Sequence, residues 1–118
     1  MRRVFLAGLL SLAIASCATP APAQVQRFSG TFDWHFETSS FRPDDGGGPY
    51  WLSADGDAFE QIAAPLGHAD RGTWGRFHIV VEARLSPEGR YGHMGGYRRE
   101  LHVTRVIETR LIASRQNP

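Results

Sequence analysis

Apolar and polar residues alternate from Phe28 onward. Phe28, Gly30, Phe32, Trp34 and Phe36 fall on one face, and Ser29, Thr31, Asp33, His35 and Glu37 on the other. A period of two in a segment this rich in aromatics predicts a half-buried strand. The alternation weakens towards Phe41 and stops at Arg42-Pro43-Asp44-Asp45-Gly46-Gly47-Gly48-Pro49, a run of turn formers that predicts a loop. Pro49 leads into a short apolar strand, Tyr50-Trp51-Leu52, and Asp55-Gly56-Asp57 predicts a turn. Between Ala58 and Ala64, Phe59 and Ile62 sit three apart, which predicts one or two helical turns ended by Pro65. Gly67 to Gly72 is expected as loop.

The alternation returns at Phe77, Ile79, Val81, Ala83 and Leu85, with His78, Val80, Glu82 and Arg84 between them. Ser86-Pro87-Glu88-Gly89 has proline and glycine where a β-turn favours them. After a glycine-rich stretch, Arg99 to Leu111 predicts a long strand whose apolar phase blurs at Arg105-Val106-Ile107, as at a bulge. Five or so strands, two of them long, would leave edges and an apolar face uncovered as a flat sheet, and closure removes both. The expected fold is all-β, a small five-stranded barrel of the oligonucleotide/oligosaccharide-binding (OB) type over residues 28–112. A short helix would lie between its third and fourth strands. A small β-sandwich is the alternative.

The residues before the domain have a different character. Arg2 and Arg3 precede Val4 to Ala15, a charge-free run of twelve residues that spans roughly 18 Å as a helix, short of the ~30 Å hydrocarbon core. This predicts a secretory signal peptide, residues 1–16. Ile14-Ala15-Ser16-Cys17 resembles the bacterial lipobox, which implies lipidation of Cys17, and Ala18 after it implies the outer membrane. Ala21-Pro22-Ala23 before Gln24 offers the other cleavage site, giving a soluble periplasmic or secreted form. On the lipoprotein reading, residues 17–27 are a lipidated cysteine and a flexible, proline-containing tether, and residues 113–118 are a disordered tail.

Composition narrows the function. The chain has 118 residues, room for one domain, and a formal charge of +1. Near-neutral charge gives no case for nucleic acid as partner. A single cysteine excludes an intrachain disulfide and Cys-rich zinc modules. Charge is unevenly distributed: residues 24–70 hold two arginines and eight carboxylates, and residues 71–118 hold nine arginines and four carboxylates. Either these halves meet in cross-strand ion pairs, or Arg90, Arg98, Arg99, Arg105 and Arg110 form a patch for anionic glycans or lipid headgroups.

Gly30-Thr31-Phe32, Glu37-Thr38-Ser39-Ser40-Phe41-Arg42-Pro43 and the following Trp51, with Leu101-His102-Val103-Thr104-Arg105-Val106, resemble the OB-like C-terminal domain of NlpE-type envelope lipoproteins and their small proteobacterial relatives. The resemblance implies an OB-like barrel in the cell envelope. Such domains generally carry cysteines, whereas the expected mature chain has none beyond Cys17, so redox sensing through a disulfide is not carried over.

The chemistry-bearing candidates are few. Tyr91, His93, Tyr97, Arg98 and Arg99, around Gly92, Gly95 and Gly96, could offer stacking faces and anion donors at the barrel mouth, or simply close the barrel end. His35, His78 and His102, each opposite the apolar face of its strand, could with His93 converge on copper or zinc, but no H-x-H, H-x-x-x-H or H-E-x-x-H spacing occurs. Asp44, Asp45, Asp55 and Asp57 lack the order of a calcium loop. No G-x-S-x-G elbow, P-loop or G-x-G-x-x-G is present. The expectation is a non-enzymatic envelope lipoprotein without a cofactor, attached to the membrane through its N-terminal lipid, that binds a partner protein or an anionic envelope glycan. A periplasmic copper- or zinc-binding stress protein is the alternative.

Overall fold

The computed structural model describes residues 24–67 and 74–115. The expected signal peptide, Cys17, most of the tether, residues 68–72 of the expected loop and residues 116–118 lie outside them. Five strands form: β1 (Gln26–His35), β2 (Thr38–Pro43), β3 (Tyr50–Ala54), β4 (Gly75–Leu85) and β5 (Glu100–Ser114). Between β3 and β4 lie α1 (Ala58–Ala63) and a 3₁₀ turn over Ala64–Leu66. The strands close into a barrel in the order β1-β2-β3-β5-β4. All neighbours are antiparallel except β3 and β5, which run parallel. This is the OB-like arrangement that the alternation predicts, helix position included.

The core follows from the register. Phe32 stands opposite Phe41 on one side and Phe77 on the other, and none of the three has any exposed surface. Ile79, Val81, Ala83, Leu101 and Val103 continue this interior layer, all fully buried. Gly30 faces Pro43 and Ile79 in the same register, and a Cβ there would overlap the Arg42 carbonyl, so the close approach of β1 to β2 requires glycine. α1 plugs one end of the barrel. Its Phe59 meets Phe32 and Trp34 edge-on at 5.8 and 5.0 Å, and Ile62 is wholly buried. Thr109 Oγ1 on β5 donates to the Ile62 carbonyl at 2.8 Å, fixing the helix to the wall.

The blurred phase of the last strand is a structural feature. Val80 pairs with Glu108 but Val81 with Val106, and Glu82 pairs with Arg105 but Ala83 with Val103. Ile107 and Thr104 are the extra residues, and such bulges bend a strand around a small barrel. Two expectations need correction. The first strand does not run on through Phe36 to Phe41: β1 ends at His35, which pairs with Thr38, and Phe36-Glu37 is a two-residue turn with Phe36 85 % exposed. Trp34 already reaches the barrel end, so the next inward position has no core left to enter. The domain is also longer at both ends than 28–112. Gln26 and Arg27 pair with Ala83 and Glu82, and Ser114, placed in the expected tail, pairs with Gly75 and is buried.

Candidate functional site

A groove of about 1170 Å³ lies on the outside of the barrel. Its floor is the outward face of β1 and β2, where alternation points Asp33 and His35, then Thr38, Ser40 and Arg42, away from the core. Trp74 and Arg76 at the start of β4 bound one side. Pro49 and Tyr50 and the β4–β5 loop, with Tyr97, Arg98 and Arg99, bound the other.

The β4–β5 loop (residues 86–99) is a folded structure in its own right. Tyr91 and Tyr97 exchange backbone hydrogen bonds of 2.9 and 3.1 Å, and a 3₁₀ turn over His93–Gly95 closes the tip. Tyr97 meets Trp51 of β3 edge-on at 5.3 Å. Gly92 holds a left-handed φ of 69° directly against the Trp51 indole, where a Cβ would overlap the ring. The loop is therefore laid along the outer face of β3. At its tip His93 Nε2 comes within 3.4 Å of Glu37 Oε2 in the β1–β2 turn.

The groove is electropositive. Four arginines line it against two carboxylates, Asp33 and Glu88. Arg76 Nε donates to Asp33 Oδ1 at 2.6 Å, and Arg99 donates to the Ser86 carbonyl at 3.2 Å, with Glu88 3.8 Å away. Arg42 and Arg98 reach no carboxylate within 4.0 Å among the described residues. Their guanidinium groups carry donors in a fork suited to carboxylate or phosphate.

Of the residues expected from sequence, Tyr97, Arg98 and Arg99 reach the groove. Tyr91 does not: its hydroxyl donates to the Pro87 carbonyl at 3.0 Å, bracing the loop from within. His93 serves the contact between loop and turn. The arginine patch is divided, because Arg105 and Arg110 stand on β5 opposite Glu82 and His78, outside the groove. One ion pair, Asp33–Arg76, joins an arginine of the second half to a carboxylate of the first, and Glu37, Asp44 and Asp55 meet histidines of the second half instead, His93, His78 and His102.

The histidines are not brought together. His35 lines the groove, while His78, His93 and His102 each take a different carboxylate, and no group of three metal-ligating side chains occurs among the described residues. His78 Nε2 lies 2.8 Å from Asp44 Oδ2, to which Ser29 also donates at 2.8 Å. The His78 hydrogen bond, and then that of Ser29, hold the Asp44 carboxyl below its usual value.

One constellation was not visible in the spacing. Parallel pairing of β3 and β5 sets Ser53 beside His102. Ser53 Oγ lies 2.7 Å from His102 Nδ1 and 2.8 Å from Glu100 Oε1, and His102 Nε2 lies 2.6 Å from Asp55 Oδ1. The order serine, histidine, aspartate is that of a nucleophile and its base, but it lies on the outer barrel face, beyond both described cavities, and Glu100 competes for the hydroxyl proton. Phe36, Ser40, Arg42 and Trp74 likewise line the groove without a local sequence motif. Their shared signal is position on the outward face of β1 and β2 or at a strand end, which acquires meaning only once the β4–β5 loop is known to fold back beside it.

Comparison with protein families, with characterised proteins and with solved structures finds no match to this chain.

Proposed function

We propose that this protein is a non-enzymatic binding module of the bacterial cell envelope that takes an anionic glycan in the groove. The observation that carries the reading is the pair Arg42 and Arg98, without carboxylate partners among the described residues, lining one groove with the small hydroxyl side chains of Thr38 and Ser40 and the ring of Tyr97. Guanidinium groups meet carboxylates on the sugar, Ser and Thr hydroxyls exchange hydrogen bonds with its hydroxyl groups, and an aromatic face accepts its apolar side. In OB barrels the face of strands 2 and 3 with its flanking loops takes oligosaccharides and oligonucleotides, and this groove uses β2, the β1–β2 turn and the β4–β5 loop. Placement in the envelope, with Cys17 lipidated, rests on the N-terminal segment and on the resemblance to NlpE-type domains.

Calorimetric titration with an oligogalacturonate, against a neutral cello-oligosaccharide of equal length, tests the reading. Binding of the acidic ligand alone, weakened about tenfold or more by Arg42→Ala with Arg98→Ala and reduced by salt, is expected. Equal affinity for both glycans, or an unchanged affinity in the double variant, would remove the groove from the reading.

A further inference from the structure

Two large apolar side chains stand almost wholly in water at one end of the molecule. Phe36 is 85 % exposed and Met94 84 %, while the other exposed large apolar residues among those described, Ile112 and Val25, reach 45 % and 40 %. Phe36 occupies the β1–β2 turn and Met94 the tip of the β4–β5 loop. The 3.4 Å contact of His93 with Glu37, the residues beside them, ties the two tips together.

The backbone sharpens this. Glu37 (φ 58°) and Met94 (φ 54°) are the only non-glycine residues with left-handed φ among those described. A side chain disfavours that region, and the same loop uses glycine for it at 92 and 95. Met94 holds a strained conformation and gains no burial from it. A large apolar side chain presented outward on those terms makes its contact outside this chain. Cations flank it: Arg90 runs along Gly95, its Nε 3.3 Å from where a Cβ would stand, and Arg98 shares the groove lining with Phe36.

Area decides the kind of partner. Two such side chains bury a few hundred Å² at most, against the roughly 800 Å² per partner of a specific protein interface. Protruding tips need no complementary pocket in a soft apolar medium, and arginines beside them suit anionic headgroups. We infer that the paired tips are a lipid-contacting device, in which Phe36 and Met94 enter the acyl boundary of an anionic bilayer while Arg90 and Arg98 meet its headgroups. The ten residues of β1 separate these tips, by roughly 33 Å along the strand, from the point where the N-terminal segment joins. The contact is therefore additional to any N-terminal lipid. Stable anchoring on a bilayer takes two such signals.

The test uses the intact chain and vesicles of phosphatidylglycerol or of phosphatidylcholine alone. Phe36→Ser with Met94→Ser is expected to lower partitioning onto phosphatidylglycerol about tenfold or more, with Ile112→Ser unchanged and phosphatidylcholine bound more weakly by the parent. Phe36→Trp is expected to be quenched by brominated acyl chains beyond the quenching of the native tryptophans, which keeps the test decisive whatever residues 1–23 contribute to binding. Retention of the double variant at parental level, an equal loss in Ile112→Ser, or an unquenched tryptophan at position 36 on bound vesicles would overturn the inference. Any of these outcomes returns the tips to a protein partner. The glycan titration, performed without lipid, succeeds or fails separately.

Discussion

The two sides of the barrel are built differently. The β4–β5 side pairs along eleven positions, from Gly75 with Ser114 to Leu85 with Leu101; Phe77, Ile79, Val81, Ala83, Leu101 and Val103 are fully buried inside it, with Leu85, Val106 and Leu111 packed partly buried against them. The β2–β3 side pairs at two positions only, Ser40 with Trp51 and Phe41 with Tyr50. Beyond them the seam is held by a side chain: Ser39 Oγ, itself buried, donates to the Leu52 carbonyl at 2.6 Å. The loops that frame the groove, both left-handed non-glycine residues and both of the most exposed apolar side chains belong to this second side or its rim. The first side supplies stability through continuous burial. The second gives up backbone pairing for an opening and for side chains directed outward, as expected where low local stability and binding coincide.

The largest test removes what both sides share. Phe32 stacks on Phe77 at 6.2 Å between ring centres and faces Phe41, so it belongs to the core of each. Phe32→Ala is expected to cost about 3–5 kcal/mol, a large part of the 5–15 kcal/mol typical of a small domain, and urea unfolding should show it as one cooperative loss. A loss under about 1 kcal/mol would mean that the two sides do not share a core.

Ser39→Ala separates them. It leaves the Leu52 carbonyl without its partner in a buried seam, at about 1–3 kcal/mol. The expected pattern in amide hydrogen exchange is faster opening of β2 and β3 with β4 and β5 unchanged. A uniform rise across all five strands would show one cooperative unit and dissolve the distinction between the sides.

The same division governs what could be read from the chain before its fold was known. The β4–β5 side was legible down to the bulge near Val106, because on β4 the inward residues from Phe77 to Leu85 are apolar and the outward ones, Val80 apart, are charged or histidine, and burial enforces that register. Helix α1 was legible from Phe59, Ile62 and Pro65. The β1–β2 turn was not. Phe36-Glu37 contains no glycine, proline, asparagine or aspartate, and Phe36 continues the apolar phase, so local chemistry pointed to more strand while the end of the core dictated a turn. The groove was legible only in part. Tyr97, Arg98 and Arg99 lie in an unusual stretch of sequence, but Arg42 and Ser40 gain their role from residues 96–99, more than fifty positions along the chain. The pairs of His78 with Asp44 and His102 with Asp55 are likewise separated by 34 and 47 residues, and only strand register brings them together.

The turn itself offers a smaller test. The contact of Glu37 with His93 is half exposed on both sides, 52 % and 41 %, and pairs of that kind contribute about 0–1 kcal/mol. The left-handed φ at Glu37 costs about 1 kcal/mol for any residue with a Cβ. Both Glu37→Ala and Glu37→Gly lose the contact, but only glycine relieves the backbone. Glu37→Gly is therefore expected to exceed Glu37→Ala by about 1 kcal/mol in thermal or urea unfolding. Equal stabilities would show that the turn relaxes without strain, and the contrast between a strained rim and an unstrained wall would lose one of its two residues.

The smallest effect concerns the tie between the two sides. Asp44 leaves the end of β2 and meets His78 on β4, with Ser29 of β1 between them. Its carboxyl is lowered first by the His78 hydrogen bond and then by that of Ser29. A carboxyl with a depressed folded pKa contributes stability above its unfolded value, about 3.9 for aspartate, and loses it as pH falls through the folded value. Because the Asp44 side chain is 53 % exposed, solvent screens most of this contribution. Between pH 5 and pH 2, wild-type protein is expected to lose slightly more melting temperature than Asp44→Asn, with both behaving alike between pH 5 and pH 6. Parallel profiles down to pH 2 would mean that the β2 end is held to β4 by the Asp44 backbone bond to the Ser29 carbonyl, at 2.9 Å, and by the ladder alone.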